Sequence, residues 1–318
     1  MNGKPRVVFM GTGEIGFPVL RWLASASTIE LAGVVTQPDK PVGRSQVLTP
    51  PAAKTLALAL NVPVLQPQKV RRPEALQSIA SLRPDLIVVM AYGQILPKAL
   101  LEMPAYACLN LHASILPRHR GAAPIQAAIL QGDQTTGITV MHMAEGLDTG
   151  DIVVAESVPI RRRETGGSLH DKLALLGPGI LRRALDLILA EKASRIPQDE
   201  SLATYAPKLD RDSGEIDWSC DCWYLDRLVR AMNPWPGAFT QLEAGDGPMK
   251  KLKIFRALPI HRMSGSGGVV ERAGGRGIVV GCGSGGLLLR EVQMEGRRRL
   301  AAQEFVRGFP LPPGTRFS

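Results

Sequence analysis

Asn110 and His112 stand two residues apart at the end of an apolar run that begins at Ala107. On a strand, residues i and i+2 project from the same face, so an amide and an imidazole are expected side by side there. An amide N–H can stabilise an oxygen that gains negative charge, and an imidazole can move a proton near neutral pH. That combination suits acyl transfer. A third group is expected from Glu145-Gly-Leu-Asp-Thr-Gly150, where Asp148 lies between glycines directly after another apolar run. A carboxylate beside His112 would orient its ring. Alone, an Asn-x-His at a strand end also fits an ordinary hydrogen-bonded sheet edge, so the second motif is what gives the chemistry weight.

The surrounding pattern says how these groups would be held. Apolar runs at Val7–Met10, Leu31–Val35, Val62–Leu65 and Asp85–Met90 read as strands, and Phe17–Ala24, 51–60 and Pro73–Leu82 read as helices between them. Alternation of this kind implies an α/β, doubly wound, Rossmann-like sheet with ligands beyond the carboxyl ends of its strands. Three such ends carry the notable residues: Met90 to Gly93, Asn110 to Pro117, and Met143 to Asp148. Further strands are expected at Thr139–Met143, where His142 reads as structural, and at Ile152–Ala155. Gly11, Gly13 and Gly16 form a G-x-G-x-x-G after a strand, but strand two ends in Thr36-Gln-Pro38 with no acidic residue. A tight strand-to-helix turn is therefore preferred over a dinucleotide site. Residues 37–50, with Lys40 and Arg44, read as a long polar loop of the kind that often carries function.

The chain has 318 residues, enough for two cores, and no uninterrupted apolar run long enough for a membrane span. The amino-terminal residues lead straight into a strand with no leader-like apolar stretch. Cys108, Cys220, Cys222 and Cys282 lack metal-binding spacing and read as reduced thiols. Net charge is +9, and residues 250–299 hold 11 Lys and Arg against 3 Asp and Glu. A cluster of that sign reads either as a surface for a polyanion or as a solvated charged face.

Residues 1–190 are expected to form one domain, 191–208 a linker, and 209–318 a second. A long helix is expected over Ser168–Leu189, capped by Ser168 with Asp171 and broken near Gly177-Pro-Gly179. In the second domain a helix over Cys220–Met232, capped by Ser219, precedes five short strands: Ala238–Leu242, Lys251–Leu258, Val269–Glu271, Gly277–Val280 and Leu287–Val292. Such a set suggests an OB-like β-barrel, a fold that commonly binds oligonucleotides. Arg297 and Arg298 follow the last strand and could contact phosphates, whereas no aromatic ladder for stacking bases is present.

The run from Asn110 to Gln126, together with Gly146-Leu-Asp-Thr-Gly150, resembles the methionyl-tRNA formyltransferases. The likeness extends over Thr36–Arg44, Ala91–Pro97, Lys172–Pro178, Thr204–Lys208, Ile216–Trp218 and Asn233–Pro236. It implies transfer of a formyl group from 10-formyltetrahydrofolate to the α-amino group of methionyl initiator tRNA, with Asn110, His112 and Asp148 catalytic. It places the folate against Ser114, Ile115, Leu116 and Pro117 and the backbone near Met90, Tyr92 and Gly93. It also places Arg44, with Lys40 as a second cation, near the acceptor arm of the tRNA. No metal is required, because a deprotonated amine is already a nucleophile. The reduced thiols and the lack of a leader or a membrane-length apolar run read as a cytoplasmic protein that binds no membrane, and nothing in the sequence suggests more than a monomer. Formylation of glycinamide ribonucleotide or of a nucleotide-linked amino sugar, and hydrolysis of formylfolate, use the same three side chains, and a non-catalytic RNA-binding protein or a nicotinamide dehydrogenase are the readings from other classes.

Overall fold

Short apolar runs rich in β-branched residues become the strands of a seven-stranded sheet, whose central members are buried on both faces. The computed structural model describes residues 3–42, 46–243 and 249–318. The chain divides into two units, Met1–Pro124 with Thr135–Pro159 and His170–Tyr205, and Ile125–Gln134 with Ile160–Leu169 and Ala206–Ser318.

In the first unit β1 (Arg6–Gly11), α1 (Phe17–Ser25) and β2 (Glu30–Val35) make the opening crossover. The strands β3 (Lys40–Val42) and β4 (Val47–Thr49) pair antiparallel, so the flanks of the expected loop are extended and hydrogen-bonded instead of irregular. Then follow α2 (Ala52–Ala59), β5 (Val64–Leu65), α3 (Pro73–Ala80), β6 (Leu86–Met90), α4 (Lys98–Leu101), β7 (Ala107–His112), β8 (Arg120–Gly121), α5 (Pro124–Gln131), β9 (Thr135–His142), β10 (Ile152–Pro159) and α6 (Gly166–Leu189). The sheet order is β10-β9-β7-β6-β1-β2-β5. β5, β2, β1, β6 and β7 run parallel, as expected. β9 runs antiparallel to β7, and β10 antiparallel to β9. The third of the expected carboxyl ends is therefore misplaced: His142 lies beside Leu109, and residues 143–151 form a hairpin loop that doubles back. A buried strand carries no sign of its direction, which is why the pattern misled.

The glycine-rich turn packs as a turn. The Thr12 and Gly13 amides both donate to the Ala91 carbonyl, at 3.1 and 3.4 Å, so neither is directed at a ligand. Helix α6 runs unbroken through Pro178. Gly177 lets it approach α1, since a Cβ there would lie 2.7 Å from Val19 Cγ2. Its start is capped by Thr165, whose Oγ1 accepts from the Ser168 amide while Ser168 Oγ accepts from the Thr165 amide. The expected cap is thus the second half of a reciprocal pair. Among the described residues no helix is long and apolar enough to cross a membrane.

After β11 (Tyr205–Ala206), the second unit builds on α7 (Cys222–Ala231). Asp221, not Ser219, caps it by accepting from the Trp223 and Tyr224 amides. Leu225, Leu228, Val229 and Met232 form its apolar stripe and pack on the sheet core of Leu252, Ile254, Ile278, Val280, Leu287, Leu289 and Val292. The strands are β12 (Ala238–Glu243), β13 (Met249–Ile260), β14 (Val270–Gly274), β15 (Gly277–Gly281), β16 (Gly286–Met294) and β17 (Leu300–Ala301), followed by α8 (Ala302–Gly308). They pair antiparallel in the order β12-β13-β16-β15-β14. The last residues bridge the two edges, Leu242 to Phe317 and Val269 to Arg316, and complete an OB-like barrel.

Candidate functional site

The β7 register sets the site. Asn110 sits between Val89 and Met141, and His112 lies beside Thr139 at the strand's end. From the hairpin loop Asp148 reaches both: its Oδ1 accepts from Asn110 Nδ2 at 3.3 Å, and its Oδ2 lies 3.5 Å from His112 Nδ1. The Gly121 amide donates to Asp148 Oδ2 at 2.8 Å and fixes the carboxylate. The imidazole is 6 % exposed and the carboxylate 12 %, so the pair sits in a shielded environment that still opens to solvent. The loop can double back because position 150 is glycine; a Cβ there would lie 1.7 Å from the His142 carbonyl oxygen.

The imidazole tautomer follows from its partners. His112 Nε2 is 2.8 Å from the His119 carbonyl, which can only accept, so Nε2 carries a hydrogen and donates it. In the neutral ring Nδ1 is then the bare nitrogen, and it is the one beside Asp148. A proton taken up at Nδ1 arrives next to a carboxylate that offsets its charge. Ala91, His119 and Asp148 adopt positive φ of 50°, 59° and 52°. Each such non-glycine residue costs roughly 1 kcal/mol or more; Gln46, Asn61, Arg83 and Glu191 adopt positive φ as well.

The residues expected around a folate divide into two groups. Met90, Ser114 and Leu116 are buried. The Leu116 amide donates to Thr139 Oγ1 at 3.1 Å, and that hydroxyl donates to the Ser114 carbonyl at 2.8 Å, so the segment is locked in place. Tyr92 is also buried: its ring joins the core of Val8, Met10, Ile79 and Val89, and burial pushes its hydroxyl up to about 12. Its side chain belongs to the core, and its carbonyl accepts from Thr12 Oγ1 and Gln37 Nε2. Ile115 and Pro117 are half-buried and Gly93 is exposed. Ile95, on the loop after β6, and Leu147, next to Asp148 in the chain, stand 87 % and 61 % exposed.

Of the expected cations, Lys40 is exposed on β3 and Arg44 lies outside the described residues. Arg297 and Arg298 are exposed in the turn after β16. The second unit holds a further basic feature, a cavity of about 780 Å³ whose lining includes Arg161, Arg162, Arg163, Arg227, Arg230 and Arg256. Arg230 is paired with Asp226, whereas Arg161, Arg162, Arg163 and Arg256 have no ion pair among the described residues. These positions come from three distant segments, and only folding brings them together.

A buried amide–imidazole–carboxylate cluster over the end of a doubly wound sheet is the arrangement expected of an acyl-group transferase. Residues 5–185 match the formyl transferase family and residues 208–310 the formyl transferase C-terminal domain. The chain is 49 % identical over 311 residues to a methionyl-tRNA formyltransferase of Geobacter sulfurreducens, covering 98 % of this chain and 96 % of that one. It is 50 % identical over 306 residues to one from Akkermansia muciniphila, covering 96 % and 97 %. The chain belongs to the methionyl-tRNA formyltransferase family. Among solved structures, a sugar 3N-formyl transferase, WlaRD, superposes with a TM-score of 0.67 at 15 % identity over 93 % of this chain and all of that one. HypX from Aquifex aeolicus, solved with tetrahydrofolic acid, gives 0.63 at 17 % identity over 96 % of this chain and 47 % of its own. At those identities the likeness is one of fold.

Proposed function

We propose that this chain transfers the formyl group of 10-formyltetrahydrofolate to the α-amino group of methionyl initiator tRNA. The observation that carries the reading is that Asp148 lies within 3.5 Å of both Asn110 and His112 in a chain matched nearly end to end by formyltransferases of that kind. The amine attacks the formyl carbon, and the carbonyl oxygen gains charge. Asn110 has a second N–H free of Asp148 to donate to that oxygen, and a protonated His112 adds another donor. With Nε2 committed to His119, Nδ1 is the atom of His112 that accepts the amine proton and returns one to the departing folate nitrogen. Asp148 holds ring and amide in register and offsets the imidazolium. Ile115, Leu116 and Pro117, with the backbone at Met90, Tyr92 and Gly93, form the wall for the pterin, and Ser114 fixes that segment through its bond to the Arg118 carbonyl.

Residues 1–190 carry the chemistry and some of the RNA contacts, and 209–318 are the RNA-binding domain. Lys40, Arg44, Arg297 and Arg298 contact phosphates, joined by the cations of the basic cavity. The protein acts in the cytoplasm as a monomer. The test offers a labelled 10-formyl donor together with either methionyl initiator tRNA or a nucleotide-linked amino sugar. Label on the tRNA, lost steeply as salt rises, is expected. Label on the sugar alone, or salt-insensitive turnover, would overturn the assignment.

A further inference from the structure

Arg120 is completely buried, although it stands beside the exposed Arg118 in a stretch that reads as an ordinary basic loop. A buried guanidinium is costly unless its N–H groups find acceptors. Those acceptors come from residues 198–200. Arg120 Nε and Nη2 donate to Gln198 Oε1 at 3.1 and 2.9 Å, and Nη1 and Nη2 donate to the Glu200 carboxylate at 2.8 and 2.7 Å. This fixes which way the Gln198 amide points, because arginine only donates. Its nitrogen therefore faces away from Arg120, and it donates to the Asp148 carbonyl at 2.9 Å and to the Gly150 carbonyl at 2.8 Å.

The bonds close a ring. The amide of Gly121, next to Arg120, holds the Asp148 carboxylate, and the Arg120 side chain, acting through Gln198, holds the Asp148 main chain. Asp148 is thus gripped at both ends while it carries a positive φ of 52°. The segment that supplies Gln198 is tied on either side of it as well. Ile196 exchanges amide bonds with Ile152, and Thr204 accepts from the amides of His119 and Arg120.

We propose that Gln198, seated by Arg120 and Glu200, is a positioning residue for the transfer step. It sets the main chain at Asp148 so that the carboxylate faces both Asn110 and His112. This rests on the role given to Asp148 above. Gln198 itself bonds neither Asn110 nor His112, so its effect reaches the reacting atoms through Asp148.

The test compares Gln198→Ala, Gln198→Glu and Glu200→Ala with wild type in steady-state formyl transfer. Gln198→Glu is nearly isosteric and keeps an acceptor for Arg120, but it sets oxygen against the two carbonyls. For the two Gln198 variants kcat is expected to fall about 10- to 100-fold, as misplacement of a reacting group does, with KM for donor and tRNA within about twofold. Glu200→Ala removes a carboxylate that is 68 % exposed, so water can enter at Arg120 Nη1 and Nη2 in its place; it is expected to show the same pattern at about 3- to 10-fold, and it serves if the Gln198 variants do not fold. In an Asp148→Asn background Gln198→Glu is expected to cost less than about twofold more, because the group it positions is already lost. Variants with wild-type kcat, a rise in KM alone, or a full additional loss on top of Asp148→Asn would overturn the proposal. A wild-type rate for Asp148→Asn by itself would instead remove the role of Asp148.

Discussion

Asp148→Asn is the sharpest perturbation of the site, because it keeps volume while removing the charge and turning one acceptor atom into a donor. Asp148 now accepts at both oxygens, from Gly121 at 2.8 Å and from Asn110 at 3.3 Å, and Oδ2 also faces His112 Nδ1 at 3.5 Å. The Gly121 amide is fixed in the backbone, so the oxygen of the new amide stays with it. The new NH₂ then confronts the NH₂ of Asn110. Relief requires Asn110 to rotate its amide, which withdraws the N–H meant for the formyl oxygen. Loss of one such donor costs on the order of 10²–10³ in rate. The imidazolium also loses the charge beside it, so a fall in kcat of about 10³ is expected, equivalent to roughly 4 kcal/mol of transition-state stabilisation. KM should move little, since neither substrate loses a contact. The assay is rapid-quench transfer of labelled formyl to saturating methionyl initiator tRNA, with circular dichroism to show that the variant is folded. A folded variant within about tenfold of the wild-type kcat would refute the reasoning, since an intact oxyanion donor alone should be worth more than that.

Further expectations concern the scaffold. Thr139→Val strips the hydroxyl that joins the Leu116 amide to the Ser114 carbonyl and should cost about 2–4 kcal/mol in urea unfolding, because both groups are left buried without partners. Phe317→Ala removes a buried ring packed 5.9 Å from Trp218 at the bridge between the barrel edges, and should cost about 3–5 kcal/mol. Burial, with the Arg195 charge, lowers the His142 imidazole below its usual 6.5, against an opposing pull from Asp151. Below that value the unfolded chain binds a proton that the folded chain resists, so stability should fall as pH drops from about 7 to 5, and less so in His142→Gln. Equal slopes in the two proteins would remove that histidine as the cause.

Much of the site could be read before folding because its signals are local. Asn110 and His112 share a face by strand geometry alone, and the glycines around Asp148 mark a chain that must turn sharply beside its neighbours. The five barrel strands were legible because turn residues separate apolar runs. Strand direction was not: β9 is buried like the parallel core strands, and only its pairing with β7 shows that it runs the other way. Residues 198–200 were unreadable for a related reason. Polar, proline-flanked sequence looks like a connector, and nothing local says that Gln198 and Glu200 accept the hydrogen bonds of a buried arginine some 78 to 80 positions earlier. The cap of α7 was missed by two residues because Ser219 and Asp221 are both good caps, and the choice between them depends on where the first turn closes.

The most direct measurement is the single-turnover rate at which formyl appears on methionyl initiator tRNA with His112→Ala, run beside wild type and with tRNA binding measured on the same preparation. The account predicts a fall of at least about 10² with binding intact, because Nδ1 of that ring is the only acceptor it offers for the amine proton. A folded variant that forms product within a few-fold of the wild-type rate would contradict it.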